Sequence, residues 1–174
     1  MNKIMIMGLF ALAGLGLLST DAFAQKNPRS TSRLEIGGQF IFVEYGRPSL
    51  KGRDMLAQLE INKIWRLGAD KSTTFTSDAN LSFSKVFIPQ GTYSLWLKKM
   101  GEKSYELLFS KKSGQWGTQH EAIDDFASVP LAYSEGSESV ELFTISLKKA
   151  TKGNGGEIEF LWGNSVLKAP FSMK

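Results

Sequence analysis

The sequence predicts an all-β chain: a single antiparallel β-sandwich, jelly-roll-like, of about eight to nine strands with a long loop after the first strand. Three observations carry this. Short runs of β-branched and aromatic residues recur along the chain, several of them alternating apolar and polar residues. Turn-forming Gly, Pro, Asn and Asp punctuate them at roughly 8–12-residue intervals, the rhythm of a sandwich or barrel. No segment sustains a helical period over three turns.

Residues 1–24 are set apart from the fold. Lys3 gives a positive start, 4–18 form an apolar run, and Ala22-Phe23-Ala24 is a small-x-small cleavage site. The run is short for a membrane span, which needs about 20 residues. The reading is a signal peptide cleaved after Ala24, with the mature protein periplasmic or secreted and no transmembrane segment in it. Residues 25–32, polar and containing Pro28, read as a flexible leader, and 33–174 as the sandwich domain.

Cleavage removes Lys3 and Asp21, so the net charge of +4 is unchanged. Bases and acids are interleaved, which is not the footprint of a nucleic-acid binder. The chain has no cysteine, so no disulfide supports it.

In order, 34–45 reads as the first strand, with apolar residues at both parities and a break at Gly37-Gly38. Pro48 ends it. Strands then follow at 73–77, 81–83 and 86–88, with turns at 78–80 and 89–91. Residues 92–98 alternate: Tyr93, Leu95 and Leu97 face one way, while Trp96 shares the other side with Thr92, Ser94 and Lys98 and is the tryptophan expected to be exposed. Residues 99–103 connect this strand to 105–109, closing a hairpin. Segment 110–135 is irregular, with one or two helical turns expected at 120–126 and a short strand at 129–133. Residues 134–139 read as an exposed turn. Strand 140–148, a glycine-rich turn at 153–156, strand 157–162 with Trp162 inward, a turn at Gly163-Asn164 and strand 165–171 complete the chain.

The long loop carries the candidate site. Between Tyr45 and Thr74 lie Arg47, Lys51, Arg53, Lys63, Arg66 and Lys71, with Trp65 beside Arg66. Loops of this length on a rigid scaffold often bind ligands. Guanidinium groups beside aromatics and glycine turns hold carboxylates or phosphates with paired hydrogen bonds. Arg47, Lys51, Arg53, Trp65 and Arg66 are therefore candidate ligand-binding residues. The competing role is structural, with Arg47 or Arg66 paired to Asp54, Glu60 or Asp70 to fix the loop.

Other chemistry has less support. His120 is the single histidine, one i,i+4 step from Asp124, too little for a metal site. No G-x-S-x-G elbow and no glycine-rich phosphate loop are present. No catalytic residue, metal or cofactor is assigned.

The pieces Arg47-Pro48-Ser49-Leu50-Lys51-Gly52-Arg53, Trp65-Arg66-Leu67-Gly68-Ala69 and Ile88-Pro89-Gln90-Gly91-Thr92-Tyr93-Ser94-Leu95, followed by Trp116-Gly117 and 140–145, resemble the bacterial domain-of-unknown-function family 2911 over roughly residues 29 to 171. The resemblance implies an exported, β-rich protein and carries no activity with it. Asp70-Lys71-Ser72-Thr73 departs from the family's usual Asn-Glu-Ala-Thr-like run, and Glu60-Ile61-Asn62 stands where a Val-Pro-Tyr-like segment is common.

The leading expectation is a non-catalytic sandwich that binds a small molecule, glycan or envelope protein through 47–69. The alternatives are a carboxylate-dependent glycan hydrolase, requiring two converging acids, and a structural interaction protein of the envelope.

Overall fold

The computed structural model describes residues 27–174, so the expected signal peptide lies outside the described residues. Among the described residues, one antiparallel sheet of ten strands, not closed, holds the larger part of the chain: β1 (Arg29–Ile36), β2 (Gln39–Gly46), β3 (Ile64–Trp65), β4 (Thr73–Ser77), β5 (Leu81–Phe83), β6 (Val86–Ile88), β7 (Gly91–Gly101), β8 (Ser104–Ser110), β9 (Asp125–Lys149) and β10 (Gly155–Met173). A single-turn helix, α1 (Met55–Gln58), interrupts them. The order across the sheet is β1-β2-β4-β7-β8-β9-β10-β5-β6, with β3 against β7. The all-β antiparallel class is the one the sequence predicts. Among the described residues no helix is long and apolar enough to cross a membrane.

Two stretches near the start differ from expectation. Gly37 and Gly38, at φ +58° and +82°, form the two-residue turn of a hairpin, with Ile36 opposite Gln39 across it. Positive φ at both central residues is the turn whose twist suits two antiparallel strands. What reads as one interrupted strand is thus β1 and β2, and the long loop follows the second strand. Residues 29–32, expected in a flexible leader, belong to β1: Arg29 pairs with Gly46 and Ser32 with Val43.

The sheet curls around one core. Tyr45 of β2 meets Phe143 of β9 edge-on, with ring centres 5.8 Å apart, and Phe83 of β5 lies 5.6 Å from Phe109 of β8. These strands are far apart in the sheet order, so only a folded-over sheet brings their rings together. Strand β9 makes the fold possible by changing partners. Its first part, from Asp125 to Leu131, pairs with β8, and the part from Ala132 to Lys149 pairs with β10. The polar 134–139 segment, expected as a turn, continues this strand, as Gly163-Asn164 continues β10. The turn residues there serve a bulge: between the pairs Val140–Gly163 and Glu135–Ser165, four residues of β9 stand opposite one of β10.

A second irregularity beside it has a visible partner. Residues 141–143 leave β10 and take up the chain after β2 instead. Leu50 N–H donates to Glu141 O at 3.0 Å, Phe143 N–H donates to Pro48 O at 3.0 Å, and Ser49 bridges Leu142. Proline offers only its carbonyl, which suits this edge position.

Candidate functional site

From Arg47 the chain crosses the open end of the curled sheet and returns to β4 at Thr73. Asp54 caps α1, its Oδ1 accepting from Ala57 N–H at 2.9 Å. Residues 62–65 then run along the edge of β7, with Ile64 opposite Lys98 and Trp65 opposite Leu97. Trp65 turns inward and stacks on Trp162, centres 5.0 Å apart and planes 13° from parallel. Leu67 and Asp70 hold positive φ in the tight return. Gly46 is needed there, because a Cβ on it would stand 2.2 Å from the Ala69 carbonyl oxygen.

The five sequence-predicted residues do not converge. Arg47 ties the crossover to β9, donating from Nε to Phe143 O at 3.1 Å and from its terminal nitrogen to Thr144 Oγ1 at 2.8 Å. Neither Asp54, Glu60 nor Asp70 is its partner. Lys51 sits at φ +50° with its side chain exposed, and its backbone N–H reaches Glu141 Oε1 at 3.0 Å. Arg53 folds back to Leu50 O at 3.1 Å. Arg66 lies across the 111–121 connection, its Cδ 2.7 Å from where a Cβ on Gly117 would be, and it makes no hydrogen bond or ion pair among the described residues. Asp70 receives Asn27 N–H at 3.0 Å.

What remains open is a groove under the crossover. One cavity of about 520 Å³ is walled by α1 and 59–61 on one side and by Lys99, Glu102, Lys103, Tyr105 and Tyr133 on the other. A second, about 560 Å³, continues past Arg53 to Glu135, Glu141 and Asn164 at the bulge. Asp54, Tyr133 and Ser165 line both, so the two form one trough. Of the predicted residues only Arg53 lines it, while Trp65 lines a smaller cavity of about 240 Å³ with Met55, Gln58 and Leu59. Arg47, Lys51 and Arg66 line neither part.

The sheet supplies the floor. Tyr105 and Tyr133 lie near-parallel, centres 6.2 Å apart, and Lys103 Nζ stands 5.3 Å above the Tyr133 ring while bonding Glu135 at 2.9 Å. Burial pushes the Tyr105 hydroxyl above its ordinary pKa, with Tyr133 and Asp54 adding to it. The Lys103 contact holds Glu135 below the usual carboxylate range. Glu141 is held down by the Ser49 hydroxyl, in a short hydrogen bond, and by Lys51 N–H. Mouths of curled sheets and barrels are common ligand sites, and cavities of this size suit small molecules.

Lys99 is the residue that sequence reasoning missed. It reads as part of a connection, yet β7 runs on to Gly101 and places Lys99 in phase with Tyr93, Leu95 and Leu97 on the buried face. A lysine at the next inward position of an alternating strand was the available signal.

The other expected features fall outside the groove. Trp96, expected exposed, is buried on the outer face of β7, with His120 edge-on at 4.7 Å. In place of the one or two helical turns expected at 120–126, only a 3₁₀ turn, Ala122–Asp124, forms beyond it, and His120 Nε2 pairs with Asp125 Oδ2 at 2.9 Å. Burial raises the Asp125 pKa, opposed in part by His120. Among the described residues no group of three or more His, Asp or Glu side chains is placed to hold a metal ion.

No curated protein and no solved structure matches the chain. A family model does, across residues 27–171, which takes in β1 to β9, all of β10 but its last two residues, the whole crossover and both walls of the groove. By that match the chain belongs to the family described as Protein of unknown function (DUF2911).

Proposed function

We propose that this is an exported, non-catalytic binding protein whose ligand, a small polar molecule such as a saccharide, lies in the groove between the crossover and the β8–β9–β10 surface. One observation carries the reading: two cavities that share Asp54, Tyr133 and Ser165 form a continuous trough with a tyrosine floor and polar groups of both signs on its walls. Hydroxyl groups both donate and accept, so they suit such a lining, and tyrosine rings offer faces for apolar ring carbons. Export is supported by the charged-apolar-small pattern of residues 3–24.

The same walls carry several carboxylates, the raw material of glycoside hydrolysis. A general acid for that reaction keeps its proton near neutral pH through a raised pKa. Glu135 and Glu141 are displaced the other way, so neither suits the part of the general acid.

Thermal melting of the protein against a panel of saccharides, carboxylates and phosphates tests the reading. A ligand at a hundred times its Kd stabilises by about 2.7 kcal/mol, a shift of several degrees. Tyr133→Ala should remove the shift. A flat panel overturns small-molecule binding.

A further inference from the structure

We propose that Lys99 seats a carboxylate of the ligand, so that the groove takes a small hydroxylated acid, with sugar acids as its class. This deepens the preceding reading and rests on it.

Lys99 is 6% exposed and lies at the back of the first cavity. Its ammonium donates to Leu56 O at 3.1 Å and Ala57 O at 3.2 Å. An ammonium has three N–H donors, so one remains beyond these two bonds. Carbonyl dipoles solvate the charge without neutralising it, and Lys99 makes no ion pair among the described residues. A buried charge without an opposite partner is costly, and a ligand carboxylate placed there supplies the partner with a charge-assisted hydrogen bond. The other lysine of the cavity is already engaged: Lys103 is paired with Glu135 at the rim. Lys99 is the cation of this cavity left for the ligand, Arg53 standing in the second cavity.

The acids of the wall restrict what is attached to that carboxylate. Asp54, Glu60 and Glu102 line the same cavity, and none of them is paired with Lys99. They repel an anionic group placed anywhere except against the ammonium, and they accept hydrogen bonds from hydroxyls. A ligand with one carboxylate and several hydroxyls satisfies both demands. A phosphate dianion brings more charge than one ammonium answers.

The test uses glucuronate, galacturonate and N-acetylneuraminate, each titrated against its own methyl ester at constant ionic strength, with binding followed by calorimetry and amide NMR shifts of groove residues. A hydrogen bond between charged groups predicts that at least one acid binds about tenfold or more tightly than its ester. Lys99→Met should erase that preference while the ester still binds, and Lys99→Arg should keep part of it. Equal binding of acid and ester, or a preference that survives Lys99→Met, overturns the proposal while leaving saccharide binding in the groove intact. Perturbation of the groove by none of the acids or esters overturns this proposal, and the broader reading then falls only if the full saccharide, carboxylate and phosphate panel is also flat. The comparison of acid with ester in the unaltered protein decides the matter even where Lys99→Met fails to fold.

Discussion

Two long connections lie on this sheet, and they end up in opposite states. The crossover, 47–72, is rich in arginine, lysine and tryptophan, and arches over the open end of the curl with a trough beneath it. The 111–121 connection carries the single histidine and lies flat on the outer face. Ser72 N–H donates to Gln115 O at 2.9 Å, Gly117 N–H donates to Asp70 O at 2.8 Å, and His120 covers Trp96. Backbone bonds to the end of the crossover and the ring contact on Trp96 close one surface. The crossover is tied only at intervals, by backbone pairing of 48–50 to β9 and of 62–65 to β7 and by side-chain anchors (Arg47 on β9, Lys99 under α1, Trp65 on Trp162). The stretch between them stands over the trough. The lesson is that a cluster of binding-type residues in sequence marks the crossover, while the cavity belongs to what the crossover faces.

The largest expected effect is on the sealed side. Trp96→Ala should cost about 3–5 kcal/mol, the usual range for a buried aromatic. Its Nε1 is buried with no hydrogen-bond partner among the described residues. Trp96→Phe should therefore cost much less, since an unsatisfied donor leaves with the lost contacts. Chemical denaturation of both variants checks the contrast, and equal costs would mean that the indole nitrogen has a partner.

Next comes Gly117→Ala. The added Cβ would stand 2.7 Å from both Arg66 Cδ and Asp70 O. Because one obstacle is backbone, a loss of about 1–3 kcal/mol should persist when Arg66 is also shortened to alanine; full rescue would show a looser contact between the connections.

Arg47→Gln should cost about 1–2 kcal/mol through the bonds to Phe143 and Thr144. Ligand affinity, measured beside stability, should not change. An unaltered melting temperature with lost affinity would return Arg47 to the ligand site.

The smallest contrast is in protonation. Asp125 has a folded pKa above its ordinary 3.8, so its favourable contribution is complete below 3.8 and lost as pH rises through the raised value. Glu141 has a folded pKa below 4.5, so its contribution is present above 4.5 and lost as pH falls through the lowered value. Relative to the unaltered protein, Asp125→Asn should improve as pH climbs above 3.8. Glu141→Gln should improve as pH drops below 4.5. Carboxyl-carbon NMR titration reads each group directly, and titration in the reverse order would contradict both assignments.

Strands were legible because alternation and turn chemistry are local. Tyr93, Leu95 and Leu97 announce an inward face, and the β7–β8 hairpin follows from it. The length of β9 was not legible, since Ser134 to Ser139 look like a turn and become a bulge only because β10 and the crossover share that strand's partners. Trp96 misled for the same reason: polar neighbours on its face imply solvent, and the cover comes from a connection about twenty residues away in sequence. The site was half visible. Arg53 and the crossover were legible, whereas Tyr133, Glu135 and Glu141 reach the groove from a strand whose sequence says nothing about it.

The most direct test compares Tyr133→Ala with Arg66→Gln in ligand-dependent melting, using whichever panel member shifts the unaltered protein. The groove predicts that Tyr133→Ala abolishes the shift and Arg66→Gln leaves it in place. Loss with Arg66→Gln and retention with Tyr133→Ala would put the ligand on the basic cluster instead, and contradict the account.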